Sequence, residues 1–193
     1  FLQVEGQKMS KSLGNFFTTR EVLDKLDRVQ GGEQVRYFFL RAHYRSEVSY
    51  SWDTLMDAGQ SLRGLYTALR EVPPANVKVD WEEGHAKRFR DAMNDDFDTP
   101  IAFAVLHELR GEVNRAKSRE LAGLLKALGG TIGLLQADPE TFLKGATVEI
   151  DVESMIAART AAKKAKEYAK ADAIRKELEA AGIVLEDKPG YPL

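Results

Sequence analysis

The stretch Lys8-Met9-Ser10-Lys11-Ser12-Leu13-Gly14-Asn15 sets two lysines three residues apart in a polar segment. Such a pair can close on a triphosphate from one side. An ammonium is a compact charge, suited to phosphate oxygens whose negative charge builds during displacement. Ser10 and Ser12 add hydroxyl donors, and Gly14 lets the backbone come close. The same composition also describes an ordinary solvated loop, so residue types alone leave both readings open. The spacing is not the G-x-x-x-x-G-K-[ST] of a P-loop.

A second concentration of charge lies near the other end. Arg159, Lys163, Lys164, Lys166, Lys170, Arg175 and Lys176 are opposed only by Glu167 and Asp172. A patch of this kind neutralises RNA phosphates and loses affinity steeply with salt. Tyr168 offers a ring on which a base can stack, and Asp172 and Asp187 offer acceptors for base edges. A solvated basic helix face is the alternative. Arg159, Lys163, Lys166 and Lys170 form one stripe only if a single helix runs through them, and a break is expected near Tyr168.

Between these segments, His43 has no evident partner nearby to make a nucleophilic unit, so a structural or RNA-facing role is expected rather than catalysis. Arg45 suits a carboxylate or an RNA phosphate. The acidic turn from Asn94 to Asp98 lacks the full calcium-ligand pattern and reads as a hydrated helix-capping turn.

The elements that must position these groups are mostly helical. A short strand is expected within 1–5, ending at Gly6, with a polar loop over 7–15. Thr18 or Thr19 can cap a short helix over 20–26, with Gly31-Gly32 as its breaker and a second helix over 33–42. Ser51 caps a long helix over 52–72, whose Leu55, Gly59, Leu62, Tyr66 and Leu69 recur on one face. Pro73-Pro74 ends it, and 73–80 reads as a linker. Helices follow over 82–93, from Thr99 with Pro100 at the first position, and over 118–135, together an antiparallel bundle. A connection with a helical turn spans 138–147. Asp151 can cap the last unit, with helices over 152–166 and 169–181, a stop at Gly182 and a strand at Ile183-Val184-Leu185. The expected divisions are 1–18, 19–72, a linker 73–80, 81–137, a linker 138–150, and 151–193.

Composition narrows the field. Of the 193 residues 44% are hydrophobic and 30% charged, ordinary for a soluble globular protein. The longest apolar runs fall well short of the ~20 residues of a membrane-spanning helix, and no basic-then-apolar leader is visible. Cysteine is absent, which excludes disulfides and thiolate metal sites and fits a cytoplasmic location. Only three histidines occur, so a His-rich zinc cluster, and any metal site, is not expected. With a formal net charge of −2, RNA contacts must come from local patches. The alternating Phe1-Leu2-Gln3-Val4 opening, without an initiator Met, reads as a cut within a larger protein, with a processed natural terminus as the alternative.

The string KMSKS followed by LGN, just after a strand, resembles the second signature of class I aminoacyl-tRNA synthetases. Several members of that class share it. The following blocks are similar to the cysteinyl-tRNA synthetases: Val35-Arg36-Tyr37-Phe38-Phe39-Leu40, Ala42-His43-Tyr44-Arg45-Ser46, Leu65-Tyr66-Thr67-Ala68-Leu69, and Ala92-Met93-Asn94-Asp95-Asp96-Phe97-Asp98-Thr99-Pro100. So are Ala169 to Arg175 and Gly182 to Asp187, so the likeness spans the chain in matching order.

The resemblance implies a mainly α fold. It would comprise the edge strand and KMSKS loop of a Rossmann-type catalytic domain, a helical stem-contact region, a DALR-like helical bundle and a small C-terminal α/β domain. It implies that Lys11 binds ATP phosphates and stabilises the transition state of aminoacyl-adenylate formation, with Lys8 assisting and Met9, Ser10 and Ser12 completing the ATP loop. It implies anticodon reading by Lys163, Tyr168, Asp172 and Asp187. The basic position is commonly arginine, and lysine keeps the charge without the flat fork. His43 and Arg45 become candidate tRNA-stem contacts. The implied partners are ATP with Mg2+, cysteine and tRNA(Cys). The histidine signature, and the zinc ligands that select cysteine, would lie upstream of Phe1, so these residues alone are expected to be inactive. The ending Gly190-Tyr191-Pro192-Leu193 departs from the family's Trp- and Arg-rich tail. Two rivals stand beside this reading: a synthetase-like ligase joining cysteine to an amino sugar, and a non-catalytic helical RNA-binding or interaction module.

Overall fold

The computed structural model describes residues 2–4, 6–145, 152–165 and 167–180. The chain divides into two compact units, 1–146 and 147–193. The expected mainly helical architecture is found, with helices among the described residues of both units.

The first unit opens with β1 (Leu2–Val4), β2 (Gln7–Lys8), α1 (Thr19–Leu23) and α2 (Gly31–Leu40), then β3 (Val48–Tyr50) and α3 (Trp52–Glu71). The three strands form one sheet in the order β2-β1-β3. Strands β1 and β2 pair antiparallel, whereas β1 and β3 run parallel, with Leu2 opposite Val48 and Val4 opposite Tyr50. The bundle follows as α4 (Gly84–Asn94), α5 (Thr99–Ala116) and α6 (Arg119–Thr131), and α7 (Pro139–Lys144) closes the unit.

Capping fixes most of the helix starts. Thr18 and Glu21 make a reciprocal capping box at α1, and Ser51 and Thr54 make another at α3. Each is worth about 1 kcal/mol of helix stability. Two expectations are corrected. Gly31-Gly32 does not separate helices but opens α2, where Asp27 Oδ1 accepts from Val29 N and Gln30 N. Glycine is required at 31 because an added Cβ would lie 2.7 Å from Leu26 Cβ. At α5 the cap is Asp98, one residue before Thr99, because its carboxylate accepts from Ile101 N. The segment 7–15, expected as an irregular loop, contains β2 and a 3-10 turn, and strand β3 was not expected at all.

One apolar core fills the unit. Phe38, Leu62, Tyr66, Phe89, Leu109 and Leu125 are all buried in it. It therefore runs on both sides of residues 73–80, which lie along α6: Ala75 N donates to Arg119 O and Arg119 Nε to Pro73 O. Inside the core, Glu33 accepts from the Tyr66 hydroxyl at 2.7 Å and from Leu135 N at 2.5 Å. Tyr66 also accepts from Ala137 N and stacks on Phe142 at 3.7 Å. This polar knot ties α2, α3 and α7 together. Burial lifts the Glu33 carboxyl above the ordinary carboxylate range against those hydrogen bonds, and burial first, then Glu33, pushes the Tyr66 phenol up.

The second unit is described as two helices packed on each other, α8 (Val152–Lys164) and α9 (Tyr168–Ala180). Ala162 and Ala171 are buried in their seam. The expected cap at Asp151 and the segment from Ala181 onward, with Gly182 and the strand at 183–185, lie outside the described residues.

Candidate functional site

The lysine loop is tied to β3 on entry through β1 and on exit through Tyr50. On entry, Gln3 sits centrally in β1, opposite Lys8 on one side and Ser49 on the other. On exit, Phe17 packs on Tyr50 with ring centroids 4.6 Å apart, and Tyr50 meets the buried Phe38 edge-on. Between these anchors the backbone is clamped. Ser10 is extended and caps a 3-10 turn over Lys11–Leu13, which ends at Gly14 with φ 67°, a left-handed conformation that favours glycine. Asn15 bridges the neck: its Oδ1 accepts from Ser10 N at 2.8 Å and its Nδ2 donates to Lys8 O at 3.2 Å.

The side chains divide by chemistry. Met9 lines a small apolar pocket of about 90 Å³ with Phe17, Val22, Phe38 and Tyr50. Lys8, Lys11 and Ser12 are exposed. Among the described residues neither lysine is paired with a carboxylate. Lys11 Nζ rests 5.3 Å from the centre of the exposed Phe16 ring, a contact worth only ~0.5–1 kcal/mol in such a setting. An anion can displace it at little cost. Asn15 and Phe17 belong to this site although sequence reasoning did not single them out. The signal for Asn15 was its fixed place in the string.

His43 and Arg45 are engaged within the unit. His43 Nε2 lies 3.0 Å from Asp96 O, the Tyr44 hydroxyl donates to Asp96 Oδ1 at 2.7 Å, and Arg45 Nη1 lies 3.3 Å from Asp96 Oδ2. Asp96 and Phe97 both have positive φ, 52° and 54°, in the acidic turn between α4 and α5. The Arg45 side chain remains 69% exposed, so its guanidinium keeps donors for another partner.

On the second unit, α8 ends at Lys164 and α9 begins at Tyr168. The continuous stripe is therefore broken: Arg159 and Lys163 share α8, and Lys170 stands on α9, 3.6 Å from Glu167. Tyr168 and Asp172 are four residues apart on α9 and so share a face. Tyr168 is 64% exposed at the start of that helix, and Lys163 and Asp172 are exposed. Lys166 and Asp187 lie outside the described residues.

Elsewhere in the first unit, the Tyr37 hydroxyl lies 2.7 Å from His107 Nε2. Burial, with help from Arg110, holds His107 below the ordinary imidazole pKa. Among the described residues no cluster of three or more His, Cys, Asp or Glu side chains could hold a metal. No described helix is long and apolar enough to cross a membrane.

Three family models match the chain in sequence order. Residues 1–60 match the class I (C) tRNA synthetase catalytic domain, 88–136 the DALR domain, and 149–191 the cysteinyl-tRNA ligase anticodon binding domain. The cysteine–tRNA ligase of Laribacter hongkongensis is 56% identical over 98% of the chain and 42% of its own length. That of Burkholderia cenocepacia is 54% identical over the same shares. An Acidovorax ligase of the same name is 58% identical over 97% of the chain and 40% of its own length. The chain thus spans about two fifths of the length of the curated relatives it matches.

Proposed function

We propose that this chain, which belongs to the cysteinyl-tRNA synthetase family, supplies the ATP-gripping loop and RNA-holding helices of a cysteine–tRNA ligase. The complete enzyme joins cysteine to ATP with release of pyrophosphate. It then passes the cysteinyl group to the 3′ end of tRNA(Cys) and frees AMP. One observation carries this reading: two exposed ammonium groups, unpaired with carboxylates among the described residues, stand on β2 and the turn that follows it, whose backbone is locked by Asn15 and Gly14.

In this reading Lys11 follows the charge that grows on the α-phosphate and the departing pyrophosphate, and Lys8 assists. Met9 anchors the loop, and Ser10 and Ser12 offer hydroxyls to phosphate oxygens. Magnesium arrives with ATP and neutralises part of the phosphate charge. The zinc that selects cysteine, and the histidine signature, are assigned to parts of the enzyme beyond these residues, without which this chain alone does not activate cysteine. Residues 1–18 complete the catalytic domain, 19–72 form the stem-contact junction, 81–137 the bundle and 151–193 the anticodon-binding domain, with linkers at 73–80 and 138–150. Lys163, Tyr168, Asp172 and Asp187 read the anticodon, and Arg45 and His43 border the stem. The enzyme works in the cytoplasm.

The test uses the complete enzyme. Lys11→Ala is expected to slow cysteine-dependent ATP–pyrophosphate exchange by about 10²- to 10³-fold, the loss typical of one missing transition-state donor, with tRNA affinity kept within twofold. Asp172→Ala is expected to do the reverse. Equal effects of each substitution on both steps overturn this division of labour. Absence of tRNA(Cys) from the ligands of the complete protein favours the amino-sugar ligase instead.

A further inference from the structure

We infer that Asp96, in the turn between α4 and α5, is a positioning residue for the lysine loop. The inference rests on the ATP-binding reading of that loop. Asp96 touches no nucleotide; it acts through the strand on which the loop stands.

The geometry forms a continuous line within the first unit. All three oxygens of Asp96 that can accept are used by successive residues of one loop: its carbonyl by His43, one carboxylate oxygen by Tyr44 and the other by Arg45. Arg45 Nε donates to the Tyr44 hydroxyl at 2.9 Å, so the three contacts brace one another. Thr99 Oγ1 adds a fourth tie by donating to Ala42 O at 3.2 Å. That loop leads directly into β3. At its far end Glu47 accepts from Gln3 Nε2 at 2.9 Å, and Gln3 is the residue opposite Lys8 in the hairpin. Tyr50, the last residue of β3, carries Phe17 on the other side of the lysine loop. One foot therefore reaches β3 through β1 and the other rests on it directly, and β3, at three residues, has few ladder bonds of its own. The clasp on Asp96 supplies what the strand lacks.

The backbone at Asp96 supports the same assignment. Two successive non-glycine residues in the left-handed region, one a bulky Phe97 left 62% exposed, are unfavourable unless the surroundings enforce them. The enforcing bonds are visible: Asp98 N donates to Ala92 O and Asp95 O. This conformation turns the Asp96 carbonyl and carboxylate together toward 43–45.

The experiment is done in the complete enzyme with Asp96→Asn, which removes the charge facing Arg45, and with Arg45→Ala, which alters only an exposed partner. Each is measured for pyrophosphate exchange, ATP KM, tRNA affinity and thermal midpoint, alone and in a Lys11→Ala background. Asp96→Asn is expected to lower kcat by about tenfold, the scale of a catalytic group displaced by a fraction of an ångström, and to raise the ATP KM, with tRNA affinity unchanged. Arg45→Ala is expected to lower kcat and raise the ATP KM in the same direction about threefold more weakly, since the Asp96 contacts to His43 and Tyr44 remain. Any change in its tRNA affinity belongs to its place beside the stem. In the Lys11→Ala background the effect of Asp96→Asn should shrink, because only the assisting Lys8 remains to be positioned. An undiminished loss in that background, an unchanged rate, or a lower midpoint with unchanged ATP KM overturns the inference. Exchange that is insensitive to Lys11→Ala itself overturns the ATP-loop reading, and is told apart by that single variant.

Discussion

The lysine loop of the first unit and the helix pair of the second both present cations, yet they are built on opposite plans. The loop fixes the backbone beneath two ammonium groups through strand pairing, a capped turn, an Asn15 bridge and an aromatic foot on Tyr50. The helices α8 and α9 spread their charges along exposed faces over a seam that includes Ala162 and Ala171. A fixed pair of charges suits a transition state, where a fraction of an ångström decides the rate. A field of charges suits a polyanion, where each contact adds a modest and salt-sensitive increment. The same residue type therefore has steep consequences in one region and graded ones in the other.

The contrast breaks first, if it breaks, on the loop. Replacing Lys8 and Lys11 together by alanine in the complete enzyme is expected to lower pyrophosphate exchange by at least about 10³-fold, with filter-binding affinity for tRNA within twofold. A double variant that still charges tRNA normally ends the distinction. Next, Asn15→Ala removes two hydrogen bonds without touching a charge. A loss of about 2 kcal/mol, or roughly thirtyfold in exchange rate, is expected, with the thermal midpoint unchanged because Asn15 clamps a surface loop.

On the helices the expected effect is smaller and differs in kind. Lys163→Ala should weaken tRNA binding by about 1 kcal/mol, or roughly fivefold, and reduce the slope of log affinity against log salt by about 0.7–0.9. Exchange measured without tRNA should not change. A loss that is independent of salt would mean that Lys163 supports the fold rather than the RNA.

The smallest expected difference is a proton. The first unit half-buries His107, and the second contains no histidine. Because the folded pKa of His107 lies below its unfolded value near 6.5, the unfolded chain binds the extra proton first as pH falls. The His107 contribution to the stability of the first unit is therefore expected to decline as pH drops from about 7 toward 5, against a contribution of opposite sign from the lifted Glu33 carboxyl. His107→Gln should flatten that decline in thermal melts. The carboxylates held low by hydrogen bonds, such as Glu108 beside Arg88, titrate below this window.

Legibility in the sequence followed the range of the interactions. Helices with local signals were readable: Ser51 before a periodic face gave α3, and Asp138-Pro139 gave α7. The lysine loop was readable as a string, since its residue types adjoin. Strand β3 was not, because three residues acquire a strand's identity only by pairing with a segment more than forty positions away. The knot of Glu33, Tyr66 and Phe142 was equally hidden, for each member alone looks like an ordinary helix residue. His43 was read as structural or RNA-facing, Arg45 as suited to a carboxylate or an RNA phosphate, and the acidic turn as a hydrated cap. Their meeting at Asp96 depends on left-handed backbone at Asp96 and Phe97 that no glycine announces.

The parallel pairing of β1 with β3 also sets a timetable. Parallel strands cannot be closed by a tight turn, so everything between them must already be in place. During synthesis, at about 5–20 residues per second, the segment bearing Lys8 and Lys11 leaves the ribosome seconds before Val48–Tyr50 does. Over that interval a nascent chain carries the letters of the lysine loop without its shape. The motif written earliest in this stretch is among the last to become competent.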